Sequence, residues 1–280
     1  MVVPATASLV EQRGLTGRPG TVAIHREAVR RAITVMHERL DQPLSLDTMA
    51  AVAFLSRYHF SRVFRQLTGL PPSRFLAALR LAEAKRLLLT TRLSVTDICF
   101  RVGYNSLGTF TMRFSQSVGI SPARFRQLPR AGLPTGVEAP ALTTGGRAHL
   151  SGAVAGRVET PATVTGPIFV GLFSGSVPEG RPGGCVVLAS PGEYRIEGIP
   201  EGAYHVFAVS FPWPREPLRM LLPEHDSLHV GRSGSLVVAR GQAAARADLR
   251  LRPAALTDPP VLLALPLLIA DRADREATGA

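Results

Sequence analysis

The chain has 280 residues, of which 45% are hydrophobic, so it is long and apolar enough for two folded domains and is not disordered throughout. Its net charge of +11 lies in the first half: residues 1–130 hold 19 basic and 7 acidic residues, whereas residues 131–280 hold 13 and 14. This imbalance indicates a polyanionic partner for the first half only, although a bias toward Arg in the genome would give the same composition.

Changes in composition along the chain predict its division into domains. The fold class that we predict is multidomain α + β, an all-α double helix-turn-helix domain followed by an all-β antiparallel sandwich. Helical spacing of apolar residues, such as Val29, Ile33 and Met36, marks the first domain, and runs of Val, Ile, Phe and Tyr between Gly and Pro mark the second. The predicted segments are an arm at 1–24, the helical domain at 25–128, a linker at 129–146, the β domain at 147–253, and an apolar segment with a tail at 254–280.

The helical half contains an internal repeat with a shift of 50 residues. Identical or similar residues recur at apolar, turn and capping positions, which predicts that one small unit occurs twice. The aligned pairs are Asp47 with Asp97, Val52 with Val102, Phe54 with Tyr104, Ser56 with Ser106, Phe60 with Phe110, Phe64 with Phe114, Gly69 with Gly119, Pro72 with Pro122, Arg74 with Arg124 and Phe75 with Phe125.

Each repeat is predicted to hold two short helices joined by a tight turn. In the second repeat, Ser94 caps a helix with Asp97 as its capping-box partner, Gly103 supplies the turn, and Asn105 or Ser106 caps the next helix. Gly119 ends that helix, and Ser121-Pro122 starts another. In the first repeat, Ser45 is the predicted cap, Ala53 lies at the turn, and Ser56 is the second cap. Asp47 and Asp97 lie in first helical turns, where the helix dipole favours a carboxylate.

The stretch from Ile33 to Gln127 resembles the DNA-binding domain of the AraC/XylS family of transcription regulators. The segments that carry the resemblance are SRYHFSRVFRQLTGLPPSRFL, LRLAEAKRLLLTT, SVTDICFRVGYNSLGTFTMRF and VGISPARFRQ, together about a third of the chain. The resemblance implies seven helices in two subdomains, bridged by a long helix at roughly 72–89. It also implies recognition helices at about 56–67 and 106–117, which enter adjacent major grooves of duplex DNA.

The first recognition helix is expected to read bases from its outward side, since Phe60 and Phe64 face inward. By the resemblance, Tyr58, Ser61 and Arg62 are the base-contacting residues, and an Arg can donate two hydrogen bonds to a guanine edge. The alternative for each Arg is a solvated surface charge. Two further residues are expected to contact phosphates; these are Arg57 and Arg65.

The second recognition helix is less polar, because the repeat places Met112 where the first helix has Arg62. Its predicted base contacts are Thr109 and Met112, with apolar contacts to thymine methyl groups, although Met112 packing against the protein is an equal alternative. Its phosphate or groove contacts are predicted at Ser106, Thr111 and Arg113. The flanking pair Arg74 and Arg124 is left open between phosphate contact and capping.

The second half is predicted to form seven short strands with frequent turns, typical of an antiparallel sandwich. The predicted strands are 148–158, 168–173, 185–188, 193–197, 203–209, 236–239 and 245–251. The segments LSGAVAGRV, GPIFVGLFSG and PGEYRIEGIPEGAYHVFAV resemble carboxypeptidase regulatory-like, transthyretin-related domains. This resemblance implies a scaffold or interaction module, and the position of the module suggests a sensor or an oligomerisation unit.

The loop at 211–231 offers a further candidate site. It carries Trp213, Arg215, Arg219, His225 and His229, which either line a pocket or cover a sheet edge. We expect no metal there, because no third His or Cys accompanies the two histidines. The apolar run at 261–270 is too short to cross a bilayer and is predicted to be buried on the β domain or in a partner chain.

We therefore predict a cytoplasmic transcription regulator that is not an enzyme and needs no cofactor. Its expected partners are double-stranded DNA and RNA polymerase, with a small-molecule effector as an option and no membrane contact. The alternative is a DNA-binding protein with an enzymatic or ligand-processing C-terminal domain. A reactive thiol would require a base beside it, and neither Cys99 nor Cys185 has a neighbouring His in the sequence. A secreted adhesion module is disfavoured because the first residues lack the features of a signal peptide.

Overall fold

A computed structural model of the chain describes residues 19–130, 152–160, 164–212, 217–239 and 244–264. The first range is called the helical region, and residues 152–264 are called the β region. Most of the predicted arm and linker, Trp213 and Arg215, and the last part of the apolar run lie outside the described residues. Among the helices in the described residues, none combines the length and the apolar character that a membrane crossing requires.

The helical region contains seven α-helices, the number that the family resemblance implies. The helix α1 begins at Pro19, so the last residues of the predicted arm are helical; proline is well tolerated at a first helical position, where its missing N–H is not needed. The helices are α1 (Pro19–Glu38), α2 (Leu46–Val52), α3 (Arg57–Thr68), α4 (Pro72–Thr90), α5 (Val95–Arg101), α6 (Leu107–Val118) and α7 (Pro122–Gln127).

The long helix α4 joins two cores that repeat the same aromatic plan. In the first core the rings of Phe60 and Phe64 lie 5.4 Å apart, and Phe75 from the start of α4 meets Phe64 edge-on. In the second core Phe110, Phe114 and Phe125 form the corresponding chain. Each buried aromatic pair contributes about 0.5–1.5 kcal/mol beyond the area that it buries. The predicted repeat is therefore present in the packing.

The turn inside each unit corrects the alignment of the repeat. The caps Ser45 and Ser94 are confirmed, and each accepts a hydrogen bond from the third residue of its helix. The two helix ends correspond at a shift of 49: Phe54 takes the left-handed conformation with φ 55°, where the second unit has Gly103 with φ 81°. Ala53, which we expected at the turn, is the C-cap and has an ordinary right-handed conformation. The second unit has one more residue before its next helix, which restores the shift of 50.

The described residues of the β region form nine strands in two sheets. The strands are β1 (Gly152–Glu159), β2 (Ile168–Phe173), β3 (Gly184–Leu188), β4 (Gly192–Ile199), β5 (Gly202–Ser210), β6 (His229–Val238), β7 (Ala245–Arg246), β8 (Leu249–Arg250) and β9 (Arg252–Pro253). One sheet has the order β4-β1-β7, with β8 also on β1, and the other has the order β3-β2-β5-β6-β9. Side chains from both sheets, among them Val154, Ile196, Val170 and Val206, share one buried core.

Four expectations for the β region need correction. The pairings of β1 with β7 and with β8 are parallel, so the sheets are not wholly antiparallel. The predicted strand 245–251 is broken into short pieces. The strand β6 begins at His229 rather than at residue 236, because its polar, Gly-rich first half is held by pairing with β5 and not by an apolar pattern. The segment before β6 also contains a short helix, α8 (Pro217–Leu221), where a loop was expected.

The β region packs directly against the helical region. Four of its apolar side chains complete the core formed by α4 to α7; they are Met220, Leu221, Leu262 and Ala264. Val177 joins the core formed by α1 to α3. The backbone N–H of Gly180 donates to the carbonyl of Ser117 in α6 at 3.0 Å. The apolar run is therefore buried at Leu262 to Ala264, but its location needs correction: Leu263 packs in the β core as expected, whereas Leu262 and Ala264 pack against the helices.

Candidate nucleic-acid interface

The helix α3 presents a polar, cationic side to solvent because its aromatic side is used for packing. Phe60, Val63 and Phe64 are completely buried. The side chain of Tyr58 is 91% exposed. The residues predicted to contact DNA all lie on the accessible part of the helix; Arg57, Tyr58, Arg62 and Arg65 are exposed, and Ser61 is half-buried.

The helix α6 has the same buried side and a less charged outer side. Phe110 and Phe114 are fully buried, while Met112 is 51% exposed. Met112 therefore does not lie in the protein core. The other predicted residues are accessible as well; Ser106, Thr109 and Arg113 are exposed, and Thr111 is half-buried.

Helix capping fixes the start of α6 more firmly than the start of α3. The hydroxyl of Ser106 accepts a hydrogen bond from the backbone N–H of Thr109 at 3.3 Å. Ser56 occupies the equivalent position before α3, but its side chain makes no capping hydrogen bond. Ser56 therefore occupies the predicted N-cap position but does not make the capping hydrogen bond. The start of α3 consequently has one more backbone N–H than the start of α6 that is available to water or to an anionic ligand.

The electrostatics of the two outer sides differ in strength. Neither helix contains an acidic residue, and α3 carries three arginines where α6 carries one, Arg113. The acidic neighbour of α3 is Asp47, whose Oδ1 lies 3.1 Å from Nε of Arg57, with both side chains exposed. Such an exposed pair contributes little to stability, so a phosphate can replace Asp47 as the partner of Arg57 at low cost.

A histidine pair joins α3 to α1, and no pattern in the sequence indicated it. Nε2 of His59 lies 3.0 Å from Nε2 of His25, and Nδ1 of His25 is buried with no hydrogen-bond partner. Burial lowers the pKa of His25, and the charges of His59 and Arg62 lower it further. The neutral form of His25 is thus favoured next to the first recognition helix.

Two exposed apolar side chains near the helix-turn-helix turns were also missed. Phe54 is 81% exposed, and the guanidinium of Arg31 lies 5.1 Å from its ring centre. Phe100 on α5 is 56% exposed. The spacing of apolar residues predicted neither exposed side chain, because it carries no information on the positive φ of Phe54.

The remaining predicted residues can be placed in the structure. Arg74 and Arg124 are exposed near the starts of α4 and α7, and neither side chain caps a helix. Cys99 is buried, and burial raises the pKa of its thiol, which disfavours the reactive thiolate. In the described parts of the chain no three His, Cys, Asp or Glu side chains are grouped as metal ligands would be.

Comparisons with known proteins place this geometry in context. Residues 49–128 match the family model described as a helix-turn-helix domain. The chain is 37% identical over 87 residues to the HTH-type transcriptional activator AarP of Providencia stuartii, a match that covers 31% of this chain and 64% of AarP. It is 34% identical over 101 residues to the Right origin-binding protein of Escherichia coli, covering 36% of this chain and 35% of that protein. The matched part is therefore less than two thirds of either relative.

Solved structures match a similar share of this chain, but they are themselves covered almost completely. The DNA-binding domain of AdpA, a global transcriptional factor, was solved in complex with a target DNA; it is 35% identical, and the match covers 39% of this chain and 98% of that one, with a TM-score of 0.36. A transcriptional regulator of Chromobacterium violaceum, described among AraC-type DNA-binding domain-containing proteins, is 30% identical. That match covers 37% of this chain and 93% of the other, with a TM-score of 0.34.

Proposed function

We propose, from the premise that residues 49–128 are an AraC-type helix-turn-helix DNA-binding domain, that this chain is a sequence-specific transcription regulator. The observation that carries the proposal is the pair of acid-free helices, α3 and α6, whose outer sides stay open while the β region is packed against the same domain. Transcription regulators AarP and RhaS are among the relatives that match this chain. RNA polymerase is the partner that such a regulator would meet on DNA.

The first recognition helix is proposed to supply most of the sequence preference. Arg62 is exposed, and no carboxylate lies beside it on α3. A guanidinium in this setting can donate two hydrogen bonds to the O6 and N7 atoms of a guanine, which discriminates against other bases by about 1–3 kcal/mol. Tyr58 and Ser61 are proposed as flanking base contacts, and Arg57 and Arg65 as phosphate contacts that hold the register.

The second recognition helix is proposed to read its groove mainly through shape and apolar contact. Met112 and Thr109 are the proposed base contacts, since both are exposed on the outer side of α6. A thioether cannot donate a hydrogen bond to a base edge, so its discrimination is limited to thymine methyl groups. The proposed contacts with the phosphate backbone or the groove of that half-site are Ser106, Thr111 and Arg113.

The test compares the two helices in one selection experiment. The full chain and its Arg62→Ala and Met112→Ala variants are each used to select duplexes from a randomised library. Arg195→Ala serves as a charge-matched control, because it removes an exposed arginine from β4. We expect Arg62→Ala to lose five- to 150-fold preference at one or two adjacent positions, and Met112→Ala to lose less than about fivefold. Equal losses in the two variants would contradict the proposed asymmetry.

Salt dependence gives a second readout of the same interface. Neutralised phosphates release counterions, so the affinity for the selected duplex should fall steeply between 50 and 200 mM salt. Arg65→Ala should weaken binding to selected and unselected duplexes by the same factor and make the salt dependence less steep, while Arg62→Ala should weaken the selected duplex more. An affinity that does not change with salt would refute DNA as the partner.

The β region is proposed to be a transthyretin-related sandwich that serves as a sensor or an oligomerisation module. Two sheets that share one core support the sandwich. Its contacts with α4 to α7 give it a physical route to the DNA-binding helices. The proposed domain bounds are 25–128 for the DNA-binding domain and 147–253 for the sandwich.

A further inference from the structure

A large cavity lies where the β region meets α1 to α3, which we call the first DNA-binding unit. Its volume is about 1050 Å³, at the upper end of the range for small-molecule sites. Its lining comes from the sheet β3-β2-β5-β6-β9, from the C-terminal segment around Val261 and Leu263, and from the helices α1 and α3. The recognition helix α3 contributes Leu67 to this lining.

The register of the sheet shows that one of its surfaces forms the apolar wall of the cavity. Phe169 pairs with Val209, and Gly171 pairs with Phe207, so these residues lie on one surface while their neighbours point into the core. Phe207 and Val209 are only half-buried, whereas Val206 and Ala208, which point into the core, are buried. A Cβ at Gly171 would lie 3.0 Å from the ring of Phe173, so glycine at this position keeps the middle of the wall open.

Arginine side chains on strands β6 and β9 line the cavity beside this wall. Arg232 lies opposite Phe207 in the register, and Arg252 lies opposite Val230, which places both arginines on the surface that carries the wall. From the helical region, Arg26 and Arg30 of α1 line the same cavity. Acidic partners offset part of this charge, since Arg252 pairs with Asp258.

The end of α3 and the strand β6 also lie close to each other beside the cavity. A Cβ at Gly69, which caps the C-terminus of α3, would overlap the guanidinium of Arg232. Arg30 is held by Glu27 one turn away on α1, with both hydrogen bonds at 2.8 Å, and no hydrogen bond or ion pair in the described residues holds the exposed guanidinium of Arg26. A cavity with apolar walls and a cationic edge matches a molecule with an apolar body and an anionic head.

We propose that this cavity binds an amphipathic organic anion, a carboxylate or sulfonate with an extended apolar or aromatic body. The body lies on the wall formed by Phe169, Phe207 and Val209, and the anionic group meets the arginine edge. Because Arg26 and Arg30 belong to α1 and Leu67 to α3, the bound anion bridges the sheet and the first DNA-binding unit. Its effect on DNA affinity rests on the proposed function, whereas the binding itself does not.

The binding experiment uses two fluorescent probes that share an apolar body. One is 8-anilinonaphthalene-1-sulfonate, and the other is N-phenyl-1-naphthylamine, which lacks the sulfonate. We expect the full chain to bind the sulfonate saturably, with one site and at least tenfold more tightly than the neutral amine. The Arg26→Gln/Arg30→Gln double variant should weaken the sulfonate at least fivefold and leave the amine unchanged, and Arg195→Gln on β4 is the matched control. Equal affinities for the two probes, or no effect of the double variant, would overturn the proposal.

The position of the probe is tested through a cysteine in the wall. Cys185 lines the cavity and is half-buried, whereas the other cysteine of the chain, Cys99, is fully buried. The bound sulfonate should slow the alkylation of Cys185 by iodoacetamide at least fivefold, as measured by mass spectrometry of the native protein. Val209→Trp, which fills the wall, should abolish both the fluorescence and the protection while the midpoint of unfolding is retained. Unprotected Cys185 at saturating probe would place the probe elsewhere and refute the assignment.

The regulatory consequence is measured with the duplex selected above. Saturating sulfonate should change the dissociation constant of that duplex at least threefold in the full chain and not in Val209→Trp. If the probe binds and the affinity for DNA stays the same, the cavity is not a regulatory site. If the chain without probe fails to select any duplex, the proposed function fails while the probe measurements still stand.

Discussion

Lys85 is the most informative position for a test of how the two regions are joined. It is the sole lysine of the chain, and it lies on α4 with only 2% of its side chain exposed. Its Nζ donates to the carbonyl of Val261 at 3.2 Å and lies 5.7 Å from the ring centre of Phe125. A single ammonium thus sits between the long helix, α7 and the C-terminal segment of the β region.

The size of the expected effect follows from the pKa. Burial lowers the pKa of Lys85 from 10.5 to about 7. At a pH near 7 or below, this difference corresponds to an unfavourable contribution of roughly 5 kcal/mol to folding. Lys85→Met removes that contribution but leaves the Val261 carbonyl without its donor, at a cost of about 1–3 kcal/mol. We therefore expect the variant to be more stable by about 2–4 kcal/mol near neutral pH.

The lowered pKa also predicts how the difference in stability between the parent and Lys85→Met changes with pH. Between pH 7 and 10.5 the unfolded chain keeps the proton of Lys85 while the folded chain releases it, so the stability of the parent rises with pH. The advantage of Lys85→Met should therefore shrink by about 1.4 kcal/mol for each pH unit from 8 to 9.5. Arg86→Met is the control, because Arg86 follows Lys85 on α4 but is exposed. The difference in unfolding free energy between Arg86→Met and the parent should not change over this pH range.

The assay combines denaturation with a direct titration. Urea unfolding at several pH values gives the free energies, and ¹³C-labelled lysine gives one resonance from this residue in the folded protein. A midpoint near 7 is expected for that resonance. A midpoint near 10.5, or parallel stability curves for the parent and Lys85→Met, would show that the ammonium is not desolvated at this junction and would refute the reasoning.

Two further predictions concern the helical region, and urea unfolding measures both. Gly103→Ala should destabilise the chain by about 3 kcal/mol, because the residue has φ +81° and its new Cβ overlaps the backbone carbonyl oxygen of Leu40 and the guanidinium of Arg80. The same change at Gly108 on α6, where the new Cβ makes only an ordinary contact with the Ser106 hydroxyl, should stabilise it by about 0.5–1 kcal/mol. Equal effects at the two glycines would contradict this. Burial and His59 lower the pKa of His25, so stability should fall as the pH drops through 6.5, and His25→Gln should lose less between pH 7.5 and 5.5 than the parent. Identical losses would remove the histidine pair as the cause.

The helical half was predictable because its signals are local. Caps such as Ser94 and Ser121, and end glycines such as Gly119, act within four residues of their own position, and the structure has each where the sequence places it. The inward direction of Phe60 and Phe64 follows from helical spacing alone. The predicted ends of α4 differ from the observed ones by one residue at most.

What could not be predicted depends on contacts between distant segments. The extra residue in the second turn could not be predicted, because a shift of 50 aligned Ala53 with Gly103. The backbone hydrogen bonds and the positive φ show that Phe54 is the equivalent of Gly103. The first seven residues of β6 contain two glycines and two serines, and they become part of a strand through pairing with β5. The contact of His25 with His59 spans 34 residues, and neither helix carries a pattern that announces it.

The packing between the two regions bears on how a signal could reach DNA. Met220, Leu221 and Leu262 are nearly completely buried in the core formed by α4 to α7, so the second DNA-binding unit is not closed without the β region. The first unit, in contrast, has a nearly complete core of its own, and the arginine-edged cavity separates it from the sheet. A ligand in that cavity contacts the unit that carries the more cationic recognition helix, whose core includes Val177 of the β region, whereas the other core includes four β-region side chains. We therefore expect a ligand to change the placement of α3 relative to α6, which is the quantity that two-groove binding depends on.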